Sequence, residues 1–127
     1  MKLLIAALLA VFSTNVMAEW TEVGGSDINT TYADLSTIRK SGDKVMMWAL
    51  LDYKVVQMVD GTRFLSMTNQ FEYDCKEETS RLSAIIWYSK NMGAGDVVYS
   101  SGNVHDEFQP ISPGSLNRIH FKVACGK

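Results

Sequence analysis

The chain has 127 residues, 46% of them apolar, with 12 basic and 14 acidic side chains and two cysteines. That apolar share is enough for a packed core and excludes a disordered chain. The slight excess of acid gives no electrostatic case for nucleic acid and no polybasic patch for anionic lipid.

Residues 1–18 read as an export address. Lys2 gives a positive start and Leu3 to Phe12 an unbroken apolar run, shorter than the roughly 20 residues a helical span requires. Val16-Met17-Ala18 then presents small or modest side chains where signal peptidase reads them, so cleavage is expected between Ala18 and Glu19. An uncleaved anchor is the alternative. No cysteine follows the apolar run to accept a lipid, which argues against a lipoprotein. Cleavage leaves 109 residues (127 minus 18) with 11 bases against 14 acids, a single domain over 19–127.

Two cysteines in an exported chain have one pairing to make. A Cys75–Cys125 bridge closes a loop of about 50 residues, worth about 4 kcal/mol in chain entropy. It also pins the C-terminal segment to the body. No C-x-x-C is present to suggest redox chemistry.

Trp20 to Val23 begins extended and Gly24-Gly25 interrupts it. Thr30 to Leu35 holds strand formers, and Ser36 to Lys40 reads as a short turn or half-helix. Val45 to Tyr53 carries apolar side chains on both faces, which suggests a central strand covered on both sides. Asp60-Gly61 is a hairpin signal. The strand after it alternates, with Leu65, Met67, Phe71, Tyr73 and Cys75 on a core face and Ser66, Thr68, Gln70, Glu72 and Asp74 on a wet one. Arg81 to Tyr88 returns as a strand, placing Leu82, Ala84, Ile86 and Tyr88 opposite Ile85 and Trp87. Asn91 to Asp96 is a Gly-containing loop, Val97 to Tyr99 a short last strand, and Ser101 to Gln109 irregular. At the end, Ser112 is placed to cap a helix with Pro113 in its first turn and Leu116, Ile119 and Val123 at helical spacing. A strand through Ile119, Phe121 and Val123 is the competing reading. The sum is an α+β domain: an antiparallel meander of five or six strands with a C-terminal α-helix tied down by one disulfide.

Several short pieces fall in a telling order: Trp20, Tyr32-Ala33-Asp34 before Ile38, Val45-x-x-Trp48 with Asp52-Tyr53, and Ser66. They continue with Tyr73-Asp74-Cys75, Arg81, Tyr88 before Met92-Gly93, and Pro110-Ile111-x-Pro113-Gly114-Ser115 leading to Cys125. In this the chain resembles the surface-adhesin protein E family of exported bacterial proteins, over nearly all of its mature length. The resemblance implies an antiparallel sheet, a bridged C-terminal helix and a binding role, since the named member is an adhesin that attaches bacteria to host matrix proteins. That member is a lipoprotein of the outer membrane, and the missing lipid-accepting cysteine here points to the periplasm over the cell surface or the medium.

The residues offer little chemistry. His105-Asp106-Glu107 are consecutive loop residues, a poor metal set, and His120 lacks a carboxylate or second His at i±4. Both histidines read as solvated or capping, and neither a metal nor another cofactor is expected. There is no Gly-x-Ser-x-Gly and no phosphate loop, so the chain reads as no enzyme. Trp48 and Phe71 look like core. If exposed, Trp87 with Tyr99 and Arg81 would make a ligand patch, because Trp, Tyr and Arg dominate binding hot spots. Lys90 and Asn91 stand beside it at the start of the loop. The expected partner is a protein, met through sheet surface, loops or a strand edge that would also suit a homodimer. The two rivals are a periplasmic inhibitor or envelope-stress protein, with Ser89 to Asp96 as its inserting loop, and a small hydrolase built around His105 or His120.

Overall fold

The computed structural model describes residues 18–127; the signal-peptide reading, apart from Ala18, lies outside them. Six antiparallel strands follow one another in chain order: β1 (Thr21–Gly25), β2 (Asn29–Ser41), β3 (Lys44–Val59), β4 (Thr62–Asp74), β5 (Thr79–Tyr88) and β6 (Val97–Gly102). A two-residue β7 (Gln109–Pro110) pairs with β5, and α1 (Leu116–Cys125) closes the chain. The expected α+β meander with a C-terminal helix is therefore the fold, and Cys75 is bonded to Cys125.

The strands run longer than their sequence signals because bulges carry them through irregular stretches. Ser36 to Lys40 is neither turn nor half-helix: β2 continues to Ser41, with its pairing to β3 shifted between Asp34 and Arg39. Thr37 Oγ1 holds this bulge by donating to the Asp34 carbonyl (2.6 Å) and accepting from the Trp48 N–H (2.9 Å). β3 likewise runs past Tyr53 to Val59, with a second shift between Asp52 and Gln57. A third, between Gln70 and Phe71, pairs Phe71 with Leu82 and Gln70 with Ala84. Leu82 thus turns to the face opposite Ala84, Ile86 and Tyr88, a change that strict alternation cannot show.

α1 packs across β1 to β4. Its core is Ala33, Val45, Met47, Tyr73, Ile111, Phe121 and Ala124, with Phe121 edge-on to Tyr73 at 6.0 Å. The buried line of the helix is His120, Phe121 and Ala124, set by the largest ring and not by the Leu116–Ile119–Val123 stripe. Gly24 lets the helix approach, since a Cβ there would stand 3.0 Å from Ile119 Cδ1. The cap is Ser115, not Ser112: its side chain accepts from Arg118 N at 3.1 Å. Gly114, at φ +73, turns the chain left-handed just before it and rules out a helical start at Pro113.

Polar groups lock the helix end. Tyr73 donates to Asn117 Oδ1 (2.9 Å), Asn117 donates to Ser80 Oγ (2.8 Å), and burial raises the Tyr73 phenol. His120 is neither solvated nor a cap; it is 2% exposed. Its Nε2 lies 2.5 Å from Thr31 Oγ1, which itself donates to the Leu50 carbonyl at 3.2 Å. A carbonyl only accepts, so the hydroxyl proton points to Leu50 and the imidazole supplies an Nε2–H. Burial holds this histidine neutral by lowering its pKa to about 4.

Candidate functional site

At the end of the sheet remote from the disulfide, the face that carries α1 runs beyond the helix. Four aromatic side chains cross it from strand to strand. Tyr53 meets Phe64 edge-on at 5.8 Å, Phe64 stacks on Trp87 at 4.4 Å, and Trp87 meets Tyr99 at 4.6 Å. Phe64 is buried, Trp87 half-buried and Tyr99 44% exposed. The Trp87 Nε1 is buried with no hydrogen-bond partner among the described residues.

Beyond this ladder the β3–β4 hairpin projects. Residues 53–56 bulge opposite Leu65 and regular pairing resumes at Gln57; Val55 (69% exposed), Val56 (49%), Met58 (57%) and Val59 (45%) face solvent along this hairpin. Val97 and Val98 of the edge strand β6 are exposed at the same end, as is Met92. Eight of the ten exposed large hydrophobic side chains among the described residues, counting Tyr99, therefore gather here.

The residues singled out from sequence divide. Trp87 and Tyr99 are in contact, and Lys90 and Asn91 lie at their end of the sheet. Arg81 does not join them. It sits six residues back along β5, about 20 Å at strand rise, pairing with Glu72 at 2.7 Å and lying over the Phe108 ring. Asn91 is a brace: its amide donates to Asp52 Oδ1 (2.9 Å) and the Tyr53 carbonyl (2.8 Å). The Met92 N–H adds a bond to Asp52, and Ser66 Oγ donates to the Lys90 carbonyl while accepting from Gly93 N. These bonds bury Ser66, so the polar face of β4 is covered where alternation makes it wet.

The opposite face of the sheet holds a pocket of about 280 Å³. Trp20, Asp34, Thr37, Trp48, Thr68, Ile86 and Tyr88 line it, together with Ala18, which the expected cleavage would remove. Trp48, read from sequence as core, is half-buried and forms one wall. Asp34 pairs in register with Trp48 and shares its face, and the bulge that follows supplies Ser36 to its carboxylate. A second cavity of about 200 Å³ lies beneath α1 among Leu51, Asn69, Phe71, Leu116, Asn117 and His120. It offers His120 no carboxylate. Among the described residues no three His, Cys, Asp or Glu side chains cluster as metal ligands.

Compared with known sequences, residues 20–126 match the family model for surface-adhesin protein E. The chain belongs to that family. No curated protein matches its sequence. Among solved structures, crystal form II of Haemophilus influenzae protein E is similar at TM-score 0.62 and 12% identity, covering 89% of this chain and 91% of that one. Another structure of H. influenzae protein E gives TM-score 0.60 at 12% identity, with 89% and 88% covered. A third, from non-typeable H. influenzae, gives 0.58 at 12% identity, with 89% and 79% covered. At such identity the likeness is one of fold. Within the adhesin E chain described here, Trp20, Asp34, Trp48 and Tyr88, all residues that carry the family resemblance, converge on the pocket from four separate segments.

Proposed function

We propose that this chain is an exported, non-enzymatic binding module of the adhesin E type, and that it docks on another protein through the apolar end of its sheet. One observation carries the reading: exposed Val, Met and Tyr side chains are concentrated at one end, around a preformed aromatic ladder. Exposed apolar side chains concentrated in one region of a surface mark protein interaction sites. Rigid, half-buried Trp and Tyr side chains are the usual anchors of such interfaces. The partner is a host or matrix protein, in keeping with the family, where the chain reaches the cell surface, and another envelope protein where it stays in the periplasm; Lys90 adds a cation at the margin.

The inhibitor reading draws no support from the loop on which it depends. Ser89 to Asp96 is strapped to the sheet through Asp52 and Ser66 and does not protrude for insertion. Among the described residues no helix is long and apolar enough to cross a membrane. Our reading of localisation puts the periplasm first, and the cell surface is the setting that adhesion requires. Protease treatment of intact cells, with a periplasmic control, separates the two. Digestion of this protein while the control survives supports outward binding to matrix proteins. Survival beside the control, with release by osmotic shock, replaces the matrix partner with another envelope protein.

A further inference from the structure

The pocket on the face opposite α1 is independent of the docking end and has a chemistry of its own. Asp34 is 4% exposed, and no basic side chain among the described residues lies within 4.0 Å of it. Both hydrogen bonds to its carboxylate fall on Oδ1, from Ser36 N (3.0 Å) and Ser36 Oγ (2.5 Å) of its own bulge. A carboxylate withdrawn from water without a counter-charge gains strongly from a cation that reaches it.

The walls favour the same ligand. Trp20, Trp48 and Tyr88 line the pocket. Among the described residues none of the three is stacked on another ring or covered by a basic side chain. An aromatic face attracts a cation through its quadrupole, most strongly for tryptophan. Ile86 adds an apolar side chain to the lining, suited to alkyl groups. A space of about 280 Å³ lies below the range typical of drug-sized ligands. Aromatic walls, one buried carboxylate and this size together select a compact charged molecule.

We propose that Trp20, Trp48, Tyr88 and Asp34 form a binding site for a small organic ammonium cation, with the carboxylate pairing the charge and the rings enclosing its carbon substituents. Asp34 pairs in register with Trp48 across β2 and β3, so strand alternation sets both side chains on the pocket face. The bulge that follows brings Ser36 back onto the carboxylate and orients it.

The test is titration of the protein, purified from cells that export it, with choline and with 3,3-dimethylbutan-1-ol, its uncharged isostere. Tryptophan fluorescence and calorimetry provide the readouts. Choline is expected to bind at least about tenfold more tightly than the isostere, the scale of cation–π and charge pairing combined. Asp34→Asn keeps an oxygen to accept from Ser36 and should remove most of that preference. Trp48→Leu, which leaves the Asp34 turn intact, should weaken choline binding on its own, and thermal unfolding verifies that each variant is folded. Binding of butylammonium without choline also supports the site and identifies a primary amine as its ligand. Equal binding of the isostere, or a preference untouched in both folded variants, overturns the proposal. So does binding of neither cation, including the case in which the new α-ammonium of Glu19 fills the pocket after cleavage.

Discussion

The two ends of this sheet are built on opposite rules. From the disulfide end to the middle of the sheet the apolar side chains are covered by α1 and polar side chains are paired: Tyr73 with Asn117, Asn117 with Ser80, Arg118 with Glu78, His120 with Thr31. Lys127 also donates to the Cys75 carbonyl at 2.7 Å. At the hairpin end β3 and β4 outrun their neighbours and leave Val55, Val56, Met58 and Val59 in solvent. The first arrangement stabilises the domain. The second contributes little to stability and leaves apolar surface free for a partner. Stability and binding are thus separated along one sheet, and substitutions at the two ends should differ in kind.

The largest effect belongs to the bridge. Replacing Cys75 and Cys125 with Ser opens a loop of 50 residues, and chemical denaturation should register a loss of about 4 kcal/mol. Acid comes next. His120 has its pKa lowered to about 4 in the folded chain, against about 6.5 when unfolded. Its contribution is therefore fully present above about pH 6.5 and is lost as the pH falls towards 4. The total is about 3 kcal/mol, and His120→Gln should flatten that part of the stability profile. Tyr99→Ala at the other end should cost less than about 1 kcal/mol of stability, yet reduce partner binding by about tenfold or more if it is an anchor. Smallest in stability is Val56→Asp, within about 0.5 kcal/mol of the parent because the site is exposed. A large loss of stability from Val56→Asp would break the proposed division.

The meander and the bridge were legible because each rests on a local signal: Asp60-Gly61 for the hairpin, two cysteines for one bond, alternation along β4. The helix was legible in type but not in its cap, since Ser112 and Ser115 both suit a cap and only the left-handed Gly114 decides between them. What sequence could not show follows from the bulges. They move Leu82 to the other face and carry β2 through residues 36–40. The aromatic ladder was half visible: Trp87 and Tyr99 stood out, whereas Tyr53 and Phe64 meet only because residues 53–56 bulge. Arg81 was grouped with Trp87 on residue type, but strand rise sets them at different ends. His120 lacked any neighbour in sequence to reveal its partner, because Thr31 lies 89 residues away.

The most direct test of docking at the apolar end is a comparison of the parent protein with the Val56→Asp, Tyr99→Ala double variant. Both are assayed on a panel of purified extracellular matrix proteins, with unfolding curves recorded on the same samples. The account predicts saturable binding of the parent to a matrix protein and at least about a tenfold loss in the variant, with stability changed by little more than about 1 kcal/mol. Equal binding by the two proteins would contradict it, and no matrix binding by the parent would contradict its matrix-protein form.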